Sequence, residues 1–208
     1  MDFKPLTYLY ESSGNPEAYT LVLLHGTGGD ERDLIPLAKN FGNQFNILSL
    51  RGNVSENGMP RFFKRLGMGV FDEDDLKFRT HEMVDFIKEI APKEGFDSTK
   101  LIALGYSNGA NIAGSTLILY PDFLSGAILF RPMLPYKKMP DFKTSKQVNI
   151  FISSGNSDSM VSTSEIKAYT ELLDMNNFST ELHQLNTGHN LIQEDILLAV
   201  KWTQNVFN

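Results

Sequence analysis

Short, nearly unbroken apolar runs alternate along this chain with longer stretches in which apolar positions recur every three or four residues. The runs are Thr20 to Leu24, Asn46 to Leu50, Leu101 to Leu104, Leu124 to Phe130, Val148 to Ser153 and Thr180 to Leu185. Runs that are apolar on successive positions read as strands buried on both faces, and the stretches between them as crossover helices. The alternation therefore predicts an α/β domain: a mainly parallel sheet of about seven strands with helices on both faces. Thr7 to Tyr10 is expected to add a short antiparallel edge strand, since a turn-rich segment, Ser12-Ser13-Gly14-Asn15-Pro16, follows it.

The helical stretches carry their own signals. From about Asp74 to Ala91, Leu76, Met83, Val84, Ile87 and Ile90 form one stripe, with Asp74 and Asp75 near the positive end of the helix dipole. Ser107 to Leu119 is apolar almost all round and stops before Pro121, as a helix buried against the sheet would. Ser162 and Glu165 have the spacing of a capping box ahead of Ile166, Tyr169, Leu172 and Leu173. A last helix is expected from about Leu191 to Val206, with Ile192, Ile196, Ala199 and Val200 on one face. No repeat, low-complexity tract or linker interrupts the pattern, so residues 1–208 are read as one domain without a separate lid.

Composition narrows the partners. With 41% apolar and 21% charged residues over 208 positions, the chain can bury a substantial core. A net charge of −6 disfavours nucleic acid and anionic membranes as partners. The clustered Arg61, Lys64 and Arg65 read as a solvated helical face. The absence of cysteine excludes disulfides, a thiol nucleophile and thiolate metal sites. The first residues lack the apolar core of a signal peptide, and no run approaches the roughly 20 apolar residues of a membrane span. A soluble, cytoplasmic protein is the expectation.

The chemistry begins at Gly105-Tyr106-Ser107-Asn108-Gly109, which joins a buried run to an apolar helix. A strand-to-helix turn this sharp brings backbone against backbone, so side chains without a Cβ flank the serine and its hydroxyl is thrust outward. A serine hydroxyl needs a histidine base, and the histidine needs an orienting carboxylate. Asp158 is the only carboxylate in the loop after the Val148 run, and His189 lies in the loop before the last helix. The chain order serine, aspartate, histidine is that of the α/β-hydrolase triad. The run Leu21 to Leu24 leads into His25-Gly26-Thr27-Gly28-Gly29, where the Thr27 NH can join the Asn108 NH as oxyanion donor. A phosphate loop is excluded there, because no Gly-Lys-Ser/Thr follows. His25, His81 and His183 are read as structural, and Asp195 as the rival acid, disfavoured by its place in a helix after His189.

With these elements in place, the chain resembles the phospholipase/carboxylesterase family of small α/β-hydrolases, which includes acyl-protein thioesterases. The stretch from Arg51-Gly52-Asn53-Val54 through Pro60-Arg61-Phe62-Phe63 to Gly69-Val70-Phe71-Asp72 resembles, more narrowly, carboxylesterases associated with hydroquinone and quinone detoxification in bacteria. The resemblance implies a cytosolic serine esterase without metal or cofactor, often a homodimer, with Ser107, Asp158 and His189 as triad and Thr27 and Asn108 as oxyanion donors. Asn108 departs from the glutamine common in thioesterase relatives, at a position where the backbone NH is what the reaction uses.

The Arg51 to Asp72 stretch leaves the end of a parallel strand, where α/β sites lie, so Met59, Phe62, Phe63 and Phe71 are expected to line an acyl or aromatic pocket. Packing as core under a long loop is the competing reading for each. Arg51 is expected to pair with Glu56, and Arg61 to meet a polar substrate group. The Arg131 to Lys146 connection is too short for a lid, which suits an open site for small or flexible esters. The expected function is a serine carboxylesterase acting on small-molecule esters. Two alternatives stay open: a thioesterase or lysophospholipase acting on longer acyl chains, and a binding protein on a hydrolase fold without turnover.

Overall fold

In the computed structural model, which describes residues 3–207, each of the six apolar runs forms a parallel strand of one sheet. In chain order the main strands begin with β1 (Thr7–Glu11), β2 (Thr20–Leu24) and β3 (Asn46–Arg51). Four short strands follow as two hairpins, β4 (Val54–Glu56) with β5 (Met59–Arg61) and β6 (Arg65–Gly67) with β7 (Val70–Phe71). The sheet resumes with β8 (Leu101–Tyr106), β9 (Gly126–Phe130), β10 (Val148–Gly155) and β11 (Phe178–Leu185). The helices are α1 (Ile35–Ala38), α2 (Glu73–Glu94), α3 (Asn108–Leu119), α4 (Thr163–Met175) and α5 (Gln193–Phe207). The strand order is β1-β3-β2-β8-β9-β10-β11, and β1 runs antiparallel to β3 at one edge, as its position in the sequence suggested.

Alternate residues of each strand feed two cores, as the period of a strand requires. Val22 and Leu24 pack with Leu76, Met83 and Ile87 of α2 and with Ile112 and Leu117 of α3. Leu21 and Leu23 face the other way, toward Phe41, Phe151, Ala199 and Trp202. The helix signals are met: Asp72 caps α2 by accepting from the Asp75 NH at 3.1 Å, and Ser162 and Glu165 form a reciprocal capping box on α4. Among the described residues no helix is long and apolar enough to cross a membrane.

The two hairpins correct the reading of Arg61, Lys64 and Arg65 as one solvated helical face. Asn57 (φ 52°) and Gly58 (φ 82°) form a two-residue turn with both φ positive, the type I′ geometry that Asn-Gly favours. The chain then carries Phe62 and Phe63 into the core, and Arg61 follows them to 4% exposure. The expected Arg51 to Glu56 pair does not form either. Arg51, at the end of β3, reaches the β2 loop and binds Glu31 (Nη2 to Oε1, 2.8 Å), whereas Glu56 accepts from Arg65 Nε at 2.9 Å.

After β2 the chain steps to one side to form β3, then crosses to the other side to form β8. The loops leaving the carboxyl ends of β2 and β8 therefore diverge and open a crevice at the switch point. Those are the loops of Thr27 and Ser107.

Candidate active site

Ser107 occupies the N-cap of α3 at φ 51° and ψ −109°, a strained conformation for a residue with a side chain. Its own NH donates to Phe130 O at 2.9 Å, and its carbonyl accepts the first helical bond, from the Asn111 NH. Gly109 explains why the elbow can close: a Cβ there would overlap the carbonyl of Leu24. The turn thus exists only because α3 rests directly on the backbone of β2.

His189 joins the two remaining residues. Its Nε2 lies 2.8 Å from Ser107 Oγ and its Nδ1 2.8 Å from Asp158 Oδ2. An ionised carboxylate only accepts, so the proton belongs on Nδ1 and the Nε2 lone pair faces the serine hydroxyl. The Asp158 side chain is fully buried, and its other oxygen accepts from the Met160 NH at 2.8 Å. The Asp158 and His189 loops are laced together by Asn156 NH to Leu185 O (2.8 Å) and Ser157 NH to Thr187 O (3.0 Å). Gly155 permits this approach, since a Cβ would run into the carbonyls of Thr187 and Gly188.

Thr27 and Asn108 carry backbone NH groups that no described residue accepts from, while the neighbouring Gly28 NH donates to Pro60 O at 2.9 Å. Both residues, with Ser107 and His189, border a cavity of about 40 Å³ whose wall also includes Arg61, Arg65, Phe71, Met133 and Met160. At roughly 10–15 Å³ for one water, this is room for a group of a few heavy atoms. Larger hollows of about 490 and 300 Å³ lie elsewhere and are bordered by none of these residues. Of the four side chains expected in the pocket, Phe71 lines it. Phe62 and Phe63 do not: Phe62 packs on His25 (ring centroids 4.7 Å apart) and Phe63 edge-on against Phe71 (5.0 Å). Their apolar area is taken up by the core beneath the cavity. Met59, 40% exposed, lies over the Gly28 turn instead of in the cavity.

A family model described as Phospholipase/Carboxylesterase matches residues 9–206. This chain belongs to the phospholipase/carboxylesterase family. It is 42% identical over 199 residues to MhqD of Bacillus subtilis (strain 168), a protein named as a hydrolase, covering 95% of this chain and 97% of that one. The crystal structure of the Bacillus cereus carboxylesterase is similar at a TM-score of 0.94 and 41% identity, covering 97% of this chain and 95% of that one. The structure of YahD with malic acid is similar at a TM-score of 0.90 and 30% identity, covering 97% and 99%. As a member of this family the chain is an α/β-hydrolase in fold.

Three residues in this family member have roles that sequence reasoning missed or assigned otherwise. Asp195 does not touch His189; it is wholly buried in a two-bond ion pair with Arg131, each bond 2.8 Å. Arg131 also donates from Nε to Gly188 O (3.2 Å) and from Nη2 to Asn190 O (3.0 Å), and the Tyr106 hydroxyl donates to His189 O (3.1 Å). Three consecutive carbonyls around the histidine are thereby held. The clue in the sequence was a lone arginine ending an apolar run, Leu129-Phe130-Arg131, where a charge must find a buried partner.

Asn108 is the third case: its Oδ1 accepts from the Phe62 NH at 2.7 Å, so its side chain ties the hairpin segment to the elbow. His25 keeps the structural role expected of it. It donates from Nδ1 to Gly26 O (2.6 Å) and accepts from the Gly52 NH (3.1 Å), and burial above all lowers its pKa. His81 bonds the Tyr120 hydroxyl and His183 bonds Glu181. Among the described residues no group of three or more His, Cys, Asp or Glu side chains is placed to hold a metal ion.

Proposed function

We propose that this protein is a serine carboxylesterase that hydrolyses small carboxylic esters through an acyl-enzyme. The observation that carries the reading is the continuous path from Asp158 through His189 to Ser107, with 2.8 Å at each step and two unspent NH groups beside the hydroxyl. His189 Nε2 takes the Ser107 proton as Oγ attacks the ester carbonyl, and Asp158 stabilises the imidazolium that forms. The NH groups of Thr27 and Asn108 receive the developing oxyanion. The departing alcohol takes the proton from His189. Water, deprotonated by the same imidazole, then releases the acid and restores Ser107. These side chains and water account for every proton moved.

The small cavity and its charged wall favour compact, polar esters over long acyl chains. YahD, a relative of the same fold, is known with malic acid, itself a compact polar acid. Ser107→Ala is expected to lower kcat on p-nitrophenyl acetate by roughly 10⁶ while the melting temperature is retained. A fluorophosphonate probe should label the unaltered protein and leave Ser107→Ala unlabelled. Esterase activity persisting in purified Ser107→Ala overturns the proposal.

A further inference from the structure

Arg61 is a buried cation whose hydrogen bonds are only partly spent. Its Nε donates to Phe63 O at 3.1 Å and its Nη1 to Thr27 Oγ1 at 2.6 Å, while Nη2 makes no hydrogen bond with a described residue and is not one of the sealed-off polar atoms, so it stays open to a ligand. The nearest carboxylate is Glu56, whose Oε2 lies 3.3 Å from Nη1 but makes no hydrogen bond, and whose Oε1 is committed to Arg65. Two guanidinium groups thus share one carboxylate at the edge of the cavity that holds Ser107. Asp158 cannot supply the missing anion, being bound to His189. A second unsatisfied donor belongs to the same wall: Asn108 Nδ2 is buried without a partner, its orientation set because Oδ1 must accept from the Phe62 NH.

Holding Thr27 in place explains Nη1 but leaves Nη2 and the excess positive charge unexplained. A largely buried guanidinium that shares its only carboxylate is costly, and a ligand that only accepts and carries a negative charge offsets that charge at the open Nη2. We propose that Arg61, assisted by Arg65, forms a carboxylate-binding subsite beside Ser107, so that the preferred substrates are small esters bearing a carboxylate a few bonds from the scissile carbonyl. The inference rests on the esterase reading and specifies its substrate class. Ser107 and Arg61 border one cavity of about 40 Å³, so a single small molecule can meet both.

The test compares kcat/KM at constant ionic strength, by pH-stat, in two pairs of esters. Monoethyl succinate against ethyl pentanoate places the carboxylate on the acyl side, and acetoxyacetate against propyl acetate places it on the alcohol side. The unaltered protein should prefer the charged ester about 10- to 100-fold in one pair, which identifies the side. Arg61→Gln should bring that ratio close to one; because the ratio is taken within one protein, any loss from a loosened Thr27 falls on the charged and the neutral ester alike. Arg65→Gln, at a more exposed position, should lower it by a smaller factor and serves alone if Arg61→Gln does not fold. Equal or better turnover of the neutral esters in both pairs, or a preference that survives these substitutions, overturns the subsite and leaves the esterase reading standing. If none of the four esters is hydrolysed, the esterase reading falls and the subsite with it.

Discussion

Ser107 and His189 meet at 2.8 Å, yet the loops that carry them are held in unlike ways. The Ser107 elbow is set by exclusion: α3 lies so close to β2 that a single methyl at Gly109 would occupy the Leu24 carbonyl. The His189 loop is set by attraction, through Arg131 and Tyr106 on three successive carbonyls and through Asp195 behind Arg131. One side leaves no room for an added atom, and the other depends on two charges that compensate each other. The contrast also separates local from distant information. The elbow is written in five consecutive residues, whereas the charge pair joins positions 131 and 195, which nothing in the sequence marks as neighbours.

Adding one carbon on the Ser107 side should have the largest effect. Helix propensity favours alanine over glycine by roughly 1 kcal/mol, but the overlap with backbone at Gly109 outweighs it. Gly109→Ala is expected to lose more than about 4 kcal/mol of stability, or to fold with the elbow displaced and activity abolished. A Gly109→Ala protein with unchanged melting temperature and kcat would mean that sterics do not set the elbow. On the His189 side, Arg131→Met should cost about 3–5 kcal/mol, because Asp195 is left buried and uncompensated.

The double change Arg131→Met with Asp195→Leu separates stability from positioning. Well-packed apolar residues of similar volume replace a buried ion pair at little cost, so most of the stability should return. The carbonyls of Gly188 and Asn190 would still lack their clamp, and kcat should stay about 10² below normal with KM little changed. Recovery of full kcat in the double variant would reduce the pair to packing.

The same contrast explains what the sequence revealed. The buried strands, the elbow, the capping box at Ser162 and the order of Ser107, Asp158 and His189 were all legible, since each is a short pattern with one physical cause. Pairing across the fold was not. Arg51 and Glu56 are near in sequence and opposite in charge, but β3 and the hairpin point them at Glu31 and Arg65. Phe62 and Phe63 were credible pocket residues because position along a loop does not tell which side of it is the core. The Asn57-Gly58 hairpin signal was present, and it would have shown that Arg61 lies on a strand and not on a solvated helix.

The smallest effect concerns pH and again falls on one side only. His25 props the Thr27 loop as a neutral imidazole, accepting from the Gly52 NH through Nε2, and burial is the main cause of its lowered pKa. In the unfolded chain a histidine takes up its proton near pH 6.5. Below that value the unfolded state binds the proton first, so stability is fully present above about pH 6.5 and declines as pH falls toward the lower folded value. One proton sets a limiting slope of about 1.4 kcal/mol per pH unit. His25→Gln keeps an acceptor for the Gly52 NH and removes the titration. Urea midpoints at pH 7.5 and 5.5 should therefore separate more in the unaltered protein than in His25→Gln. Unfolding is the appropriate readout, since it does not depend on the reaction at Ser107. Equal separations in the two proteins would show that His25 is not the group through which acid loosens the Ser107 side.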